Sequence, residues 1–196
     1  MPSEAFSFYL GSGINHLDME LTYVPLDEQG EDKKKSRHLF ETAFLPEERP
    51  PFSRIRQWDH TNFKAIYRDG EFVGFRYALE KEDLTYLFFF AIEERFRNQG
   101  IGTQVLRDLV ENSGGARIFL LADEPGEDYP DNAMRLRRLA FYERNGFKPN
   151  GMLVHEFGVR YWMLTKDGVT VTAEEYLDMM VDLMGRKRVD RHYQIG

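Results

Sequence analysis

The chain has 196 residues, of which 42% are hydrophobic and 14% aromatic, so it can bury one core and is too apolar for a disordered protein. Its net charge of −7 disfavours nucleic acid and anionic membranes as main partners, and it suits a cationic acceptor such as an amine. The sequence contains no cysteine, which excludes disulfides, thiolate-bound zinc and thiol nucleophiles and predicts a cytoplasmic protein.

The sequence carries no targeting signal that we identify. No apolar run approaches the roughly 20 residues that a membrane-spanning helix needs. The first residues lack the basic start and the apolar middle of a signal peptide. Since no internal repeat or linker divides the chain, we expect a single domain over 1–196, with 1–17 as an N-terminal arm and 170–196 as a C-terminal helical extension.

The first half of the chain is predicted to contain four strands and one helix. The stretch "MELTYVPL" alternates like a strand, and "SRHLFETAF" has helical spacing until three prolines end it. A two-residue hairpin turn is predicted at Asp69–Gly70, because both positions favour positive φ. Three antiparallel strands are predicted around it: "NFKAIY", "EFVGFRYAL" and "LTYLFFFAI".

After these strands the pattern changes to helical spacing in "IGTQVLRDLV", whose apolar stripe predicts a helix packed on the sheet. A short buried strand, "ARIFLLA", follows. A second helix is predicted to end at Gly146, which can take the left-handed conformation, and "MLVHEF" with "VRYWMLT" is typical of a closing hairpin. The residues of this second helix expected to face inward are Leu136, Leu139 and Ala140.

The last part of the sequence predicts a capped helix and a tail. Thr172 and Glu175 fit a capping box, in which each side chain binds the other residue's backbone N–H. The basic segment "GRKRVDRHY" after the helix is predicted to be a short solvated tail. We interpret one apolar side of the helix as core packing, and it comprises Leu177, Met180, Val181 and Met184.

A charged loop with two glycines joins the last of the three strands to the next helix, and it contains Arg97, Gly100 and Gly102. The first turn of a helix leaves N–H groups unpaired and carries partial positive charge. Glycine removes the Cβ atom that would keep a phosphate from the backbone, and a guanidinium suits phosphate oxygens. The pattern predicts either a phosphate-binding loop or a tight connection that binds nothing.

Other chemical motifs do not fit the sequence. The P-loop ends in Gly-Lys-Ser or Gly-Lys-Thr, whereas Gly102 is followed directly by Thr103. The dinucleotide fingerprint lies in a βαβ unit, whereas the strands before this loop are predicted to form hairpins. The stretch "LGSGI" is not the Gly-x-Ser-x-Gly turn of a hydrolase.

The glycine loop resembles the acyl-CoA-binding motif of the GNAT N-acetyltransferases, in which Arg or Gln is followed by x-x-Gly-x and then Gly or Ala. Arg97, Gly100 and Gly102 fill the three fixed positions. About 40 residues later, "RRLAFYERNGF" is similar to the second segment of the family, a helix with Tyr followed four residues later by Gly-Phe. Two motifs at this separation are more specific than either alone, and the order of elements fits from about Leu17 to Thr165.

The resemblance implies an α+β fold, with a central mixed and mostly antiparallel sheet flanked by helices and two strands splayed around the acyl-CoA arm. It implies acetyl-CoA as co-substrate and no metal. Backbone groups at Phe90 and Ile92 are implied to pair with the pantetheine arm. The loop residues implied to hold the pyrophosphate are Arg97, Asn98, Gln99, Gly100, Ile101, Gly102 and Thr103.

Tyr142 aligns with the family tyrosine that protonates the departing coenzyme A thiolate, so the resemblance implies that it is a general acid. A phenol with a pKa of about 10 can donate a proton to a thiolate. The alternative is a helix tyrosine whose hydroxyl is tied to the backbone.

The sequence departs from the family pattern on this helix, with Arg135 in place of the usual Asn and Arg138 in place of a small residue. We expect one of Arg135, Arg137 and Arg138 to reach a coenzyme A phosphate, and Arg138 is the first candidate. Three arginines in four positions cannot all face one way, so at least one of them is solvated.

The general base must accept a proton from the amine, and a carboxylate suits this role. Glu124, directly after the short buried strand, lies at the fitting edge of the predicted sheet. Glu47, Glu48 and His155 are alternatives, and some members of the family need no dedicated base because solvent takes the proton.

The sequence therefore predicts an N-acetyltransferase that moves the acetyl group of acetyl-CoA to a primary amine by direct attack. The alternative is a catalytically silent module that binds coenzyme A as a sensor or interaction domain. A small-molecule or peptide acceptor is expected between residues 38–52, the loop after Ala122 and the closing hairpin. We expect no nucleic-acid or membrane partner, and a homodimer is the assembly that we consider.

Overall fold

The computed structural model describes residues 20–26, 30–44, 46, 49–55 and 61–196. The expected N-terminal arm lies outside these ranges, as do the alternative bases Glu47 and Glu48. No helix within them is long and apolar enough to cross a bilayer. In the same ranges, no group of three or more His, Asp or Glu side chains is placed to hold a metal ion.

One sheet runs through the described part of the chain, and its eight strands are β1 (Leu21–Pro25), β2 (Thr61–Arg68), β3 (Glu71–Lys81), β4 (Leu84–Ile92), β5 (Arg117–Asp123), β6 (Phe147–Glu156), β7 (Val159–Lys166) and β8 (Tyr193–Ile195). Their order across the sheet is β1-β2-β3-β4-β5-β7-β6-β8. Neighbouring strands are antiparallel except for β4 and β5, which are parallel. The α+β class with a mixed and mostly antiparallel sheet is confirmed.

Six helices of the described ranges flank the sheet: α1 (Glu31–Ala43), α2 (Phe52–Ile55), α3 (Ile101–Glu111), α4 (Asn132–Arg144), α5 (Ala173–Met184) and α6 (Arg186–His192). Buried side chains of α1, α2, α5 and α6 share one core cluster, on what we call the front face. Those of α3 and α4 pack on the other side, the back face.

The front face is built largely from aromatic side chains. Phe75 and Tyr77 point to it because successive residues of a strand alternate between faces. Phe40 of α1 meets Phe89 of β4 edge-on, with ring centroids 4.9 Å apart. Such pairs contribute about 0.5–1.5 kcal/mol beyond the burial of their area, so they help to hold α1 on the centre of the sheet.

The turns follow their sequence signals. Asp69 and Gly70 have φ of 54° and 78°, as the predicted hairpin requires. Gly146 ends α4 with φ of 82°. Thr172 and Glu175 form both hydrogen bonds of the capping box at the start of α5. These predictions are confirmed.

Two packing predictions are wrong. Leu136 is 49% exposed, because α4 turns Arg135 inward, where its guanidinium pairs with Asp131 and lies over the Tyr129 ring. The segment predicted as a solvated tail instead forms α6 and begins β8, which pairs with the edge of β6. On α5, Met180 is buried as predicted. The residues that accompany it in the core are Tyr176 and Met179.

Candidate active site

A gap opens in the sheet between β4 and β5. The two strands pair only where Leu84–Leu87 faces Arg117–Leu120. Beyond these residues the two strands remain extended but no longer pair with each other, over residues 88–92 of β4 and 121–123 of β5. The expected splay of these two strands is therefore present.

A bulge in β4 accounts for the gap. Tyr77 of β3 lies opposite Phe89, but the next residue, Ala78, lies opposite Leu87. Phe88 is therefore an extra residue in β4. Because such a residue bends its strand and increases the local twist, β4 leaves β5 at this point.

The open edge of β4 presents backbone groups to the gap. The N–H of Glu93 donates to the Val73 carbonyl of β3, so the backbone groups of the residue before it point the other way. By this alternation the backbone groups of Phe90 and Ile92 face the gap. Their implied contact with pantetheine remains a prediction, and their orientation is the one that it requires.

The loop after β4 turns sharply into α3. Asn98 and Gly100 have φ of 61° and 82°, and Gly100 is the N-cap residue of α3. The backbone N–H groups of 98–103 have no acceptor within the described part of the chain. Arg97 is exposed, and its Nε donates to the Ile92 carbonyl at 3.0 Å. The loop thus places six consecutive free donors at the positive end of a helix.

Gly102 has a packing role that the sequence does not reveal. A Cβ atom on it would lie 3.1 Å from Cζ of Phe141 in α4. Its φ is not in the left-handed region, unlike that of Gly100. Glycine at 102 therefore lets α3 approach α4 closely, whereas glycine at 100 satisfies the backbone conformation.

Tyr142 lies on α4 against the back-face core and is mostly buried, beside Phe141 and Phe147. Its hydroxyl has no hydrogen-bond partner among the residues that the structure describes. The alternative interpretation, a hydroxyl tied to the backbone, does not match this geometry. Burial raises the pKa of Tyr142 to about 12; Arg138 acts to lower it and Asp123 to raise it. Tyr142 is therefore protonated at neutral pH.

The arginines of α4 take different places. Arg138 donates from Nη2 to Oδ2 of Asp123 at 2.7 Å, at the end of β5, and its Nε is buried without a partner. Arg135 is buried and structural, because it binds Asp131 and the Glu124 carbonyl. Arg137 is exposed. Arg138 thus lies at the gap beside Tyr142, and its contact with a phosphate remains a prediction.

Glu124 follows β5 but is engaged by Arg160 of β7. Nε of Arg160 lies 2.8 Å from Oε2, and Nη2 lies 2.9 Å from Oε1. Both carboxylate oxygens are therefore held in one bidentate ion pair. This arrangement favours a structural role for Glu124, and its role as a base remains a prediction.

A cleft of about 410 Å³ lies between α1 and α2, in the region where the acceptor was expected. Its lining is charged and aromatic and includes Arg37, Glu41 and Phe52, but none of the gap residues. Sequence reasoning missed Asp123 and Glu156, a buried carboxyl on β6. Glu156 lies beside a turn, where a glutamate is usually solvated. The one signal in the sequence that its side chain points to the front face is its spacing of two residues from buried Val154.

Residues 59–149 match the family model described as "Acetyltransferase (GNAT) domain". A GNAT-family protein from Bacteroides thetaiotaomicron aligns with a TM-score of 0.64 at 20% identity, over 81% of this chain and 93% of its own. An aminoglycoside 6′-N-acetyltransferase complexed with coenzyme A aligns with a TM-score of 0.57 at 18% identity, over 79% and 99%. The ribosomal-protein-S18-alanine N-acetyltransferase from Escherichia coli aligns with a TM-score of 0.56 at 18% identity, over 79% of this chain and 97% of its own. These structures show the fold, and no curated protein sequence matches the chain.

Proposed function

Since the chain has the GNAT fold and carries a GNAT acetyltransferase domain at 59–149, we propose that it is an N-acetyltransferase that moves the acetyl group of acetyl-CoA to a primary amine by direct attack. The observation that carries this proposal is the junction of the gap with the free N–H groups of 98–103. An extended thioester arm and its diphosphate match these two features in shape and charge.

The residues at the junction fit coenzyme A. The free amides at the start of α3 suit an anionic diphosphate, because their dipoles and the helix dipole point towards it. The outward backbone groups of Phe90 and Ile92 can bind an amide-containing arm in the manner of an added strand. In one of the related structures coenzyme A is bound to an aminoglycoside acetyltransferase. When bound, coenzyme A supplies the activated acetyl group.

Tyr142 supplies the proton that the reaction needs at sulfur. As the amine nitrogen bonds to the acetyl carbon and the C–S bond breaks, the nitrogen loses one proton to a base or to solvent, and the Tyr142 hydroxyl donates its proton to the leaving sulfur. The sequence contains no cysteine to carry the acetyl group, which supports direct transfer. The net charge of −7 suits an acceptor that approaches as a cation.

The second candidate is a silent coenzyme A-binding module. The bidentate pairing of Glu124 with Arg160 favours it, because the carboxylate expected to act as the base is occupied. The free hydroxyl of Tyr142 favours the enzyme. Binding of coenzyme A without transfer to any amine would identify the silent module.

The proposal is tested by release of free thiol from acetyl-CoA in the presence of n-butylamine, spermidine, kanamycin or a peptide with an N-terminal alanine. We expect thiol release that depends on both protein and amine, with intersecting rather than ping-pong steady-state patterns. A protein that binds no coenzyme A and releases no thiol would refute the proposal.

Coenzyme A binding is tested separately with the variant Gly100→Ala, and Gly114→Ala is the matched control. Both glycines have positive φ, so both substitutions introduce similar backbone strain. Only Gly100 belongs to the loop with free amides, so we expect about tenfold weaker coenzyme A binding for Gly100→Ala by calorimetry. Equal affinities for the two variants would contradict the assignment of the loop.

A further inference from the structure

A carboxyl and four tyrosines are packed together on the front face beside the gap. The carboxyl is Glu156 of β6, which is 8% exposed. Its Oε1 accepts a hydrogen bond from the Tyr176 hydroxyl, and Oε2 has no partner among the described residues. The tyrosines come from four elements, and we call the set with Glu156 the acidic cluster: Tyr86 of β4, Tyr161 of β7, Tyr176 of α5 and Tyr193 of β8.

One hydroxyl of the acidic cluster is buried and has no hydrogen-bond partner among the described residues. Tyr193 is 6% exposed, and its hydroxyl is buried without a hydrogen bond. Tyr86 is 1% exposed and belongs to the same front-face core. Buried polar groups are normally paired, so the Tyr193 phenol, opposite Glu156 across β6 and β8, can accept a polar group of a bound molecule as its partner.

The acidic cluster lies close to the gap. Tyr86 is two residues before the bulge at Phe88, and its ring stacks on Phe119 of β5 with centroids 4.7 Å apart. Tyr161 is opposite Asp123, the last residue of β5. The cluster therefore lies on the front face, where the two strands begin to separate.

Tyr86 is in the front-face core, whereas Tyr142 packs against the back-face core. The pKa of Tyr86 is raised well above the ordinary value, first by burial and then by Glu156, Tyr193, Tyr161 and Tyr142. The geometric link to Glu156 is Tyr176, whose ring centroid lies 6.1 Å from that of Tyr86 and whose hydroxyl donates to Glu156. A proton donor and a carboxyl placed on opposite faces of one gap can serve the two ends of a transfer reaction.

The ionisable groups around Glu156 leave it able to exchange a proton near neutral pH. Burial raises the pKa of Glu156 to about 7, although the hydrogen bond from Tyr176 acts to lower it. The groups that face it from β4, α5 and β8 are phenols, which are uncharged at neutral pH. Arg188 of α6 lies near Tyr193 and lowers the pKa of that phenol, against the larger raising effects of burial and Glu156.

We propose that Glu156 is the general base for the acceptor amine, a role that rests on the acetyltransferase function proposed above. The amine binds on the front face with its N–H groups towards the Glu156 carboxylate and the oxygens of Tyr86 and Tyr193. Aromatic rings and a carboxylate suit a primary ammonium, so the acceptor approaches as a cation.

The proton balance of this step is complete. The bound ammonium first loses one proton to solvent, so the nitrogen attacks as a neutral amine. As the C–N bond forms, a second proton of the nitrogen passes to the Glu156 carboxylate. As the C–S bond breaks, the proton of Tyr142 passes to sulfur. Glu156 then releases its proton and Tyr142 regains one, so the protein returns to its starting state without a further reactant.

The test compares pH profiles of kcat/KM for thiol release with n-butylamine, spermidine and kanamycin. For the wild type we expect an ascending limb near pH 7. Glu156→Gln, which can still accept from Tyr176, should lower kcat about 100-fold at pH 7.5 and remove that limb. The ionisation of the amine itself is common to all variants and does not affect the comparison.

Two further variants separate a base from a structural carboxyl. Tyr176→Phe keeps the ring and removes the hydrogen bond that lowers the pKa of Glu156, so the limb should move to higher pH. Thr172→Ala weakens the start of α5 without touching the acidic cluster, and it should keep the wild-type limb.

Glu156→Gln with wild-type turnover and an unchanged limb would overturn the role of Glu156 alone. A Thr172→Ala variant that reproduces the loss seen for Glu156→Gln would also overturn it, since docking of α5 would then explain the effect. If the wild type binds coenzyme A but releases no thiol with any of the amines, the transferase function fails, and this inference fails with it.

Discussion

Tyr142 shows how burial sets the chemistry of one side chain. Burial raises the pKa of its phenol to about 12, and nearby Arg138 acts to lower it. Arg138 is itself held by Asp123 at 2.7 Å, so its charge stays beside the phenol. Tyr142 therefore retains its proton across the neutral range and is suited to donate it, not to accept one.

At this scale we predict that Tyr142→Phe lowers kcat about 100-fold and leaves the affinity for coenzyme A unchanged, because only the donated proton is removed. Steady-state thiol release from pH 6 to 9 and calorimetry measure the two quantities. Tyr67→Phe on β2 is the matched control, since its hydroxyl bonds Asp32 of α1, away from the gap. Wild-type turnover of Tyr142→Phe across this range would refute the acid role.

At the scale of the elements, β3 and β4 must pack closely to shape the gap. Gly74 of β3 lies opposite Ile92, and a Cβ atom on it would be 2.3 Å from the Ala91 carbonyl oxygen. No rotamer relieves such a contact, because the obstacle is backbone. Glycine at 74 therefore allows the half of β4 that borders the gap to keep its hydrogen bonds to β3.

We predict that Gly74→Ala lowers the free energy of unfolding by about 3 kcal/mol, because the strands must move apart. For a chain of this size that corresponds to a fall in Tm of roughly 6–12 °C by calorimetry. Gly114→Ala is the control, since a Cβ atom there meets nothing within 4 Å and only its φ of 64° opposes the change. A similar fall in Tm for Gly74→Ala and Gly114→Ala would contradict the close packing of β3 on β4 as the cause.

At the scale of the whole molecule, the C-terminal extension is built into the sheet. Arg117 of β5 binds both Asp83 and Glu175, at 2.7 Å each, and so ties the start of α5 to the sheet. Tyr176 binds Glu156 on the front face, and β8 pairs with β6. The extension thereby covers Glu156, and this cover is what raises the pKa of its carboxyl.

The covered carboxyl predicts a pH dependence of stability. The pKa of Glu156 is about 7 when folded and 4.5 ordinarily, so the folded state binds the proton more tightly. Its contribution is complete below pH 4.5 and is lost as the pH rises through 7, in total about 3 kcal/mol. Urea denaturation at pH 4.5 and pH 8 should show this loss in the wild type but not in Glu156→Gln. If the free energy of unfolding changed equally with pH in the wild type and in Glu156→Gln, this contribution of Glu156 would be excluded.

Much of the fold was accessible from the sequence because local signals agreed with the final packing. The hairpin at Asp69–Gly70, the helix end at Gly146 and the capping box at Thr172 depend on the conformational preferences of a few adjacent residues. Leu136 and the segment around Tyr193 were mispredicted for the opposite reason. The exposure of Leu136 follows from which face of α4 packs on the sheet, where Arg135 binds the Glu124 carbonyl. The burial of Tyr193 depends on its pairing with the edge of β6, which is far from it in the chain.

From the sequence alone came the α+β class, most of the elements and the loop at Arg97–Gly102, since periodicity and glycine spacing are local properties, whereas α2, α6 and β8 were not predicted. Which carboxyls are ion-paired and which are buried depends on tertiary contacts. The tertiary structure pairs Glu124 with Arg160 and encloses Glu156 among tyrosines from four elements. The physical reason is that the chemistry of an ionisable group depends on its burial and its nearest charges, and these are set by residues far apart in the chain.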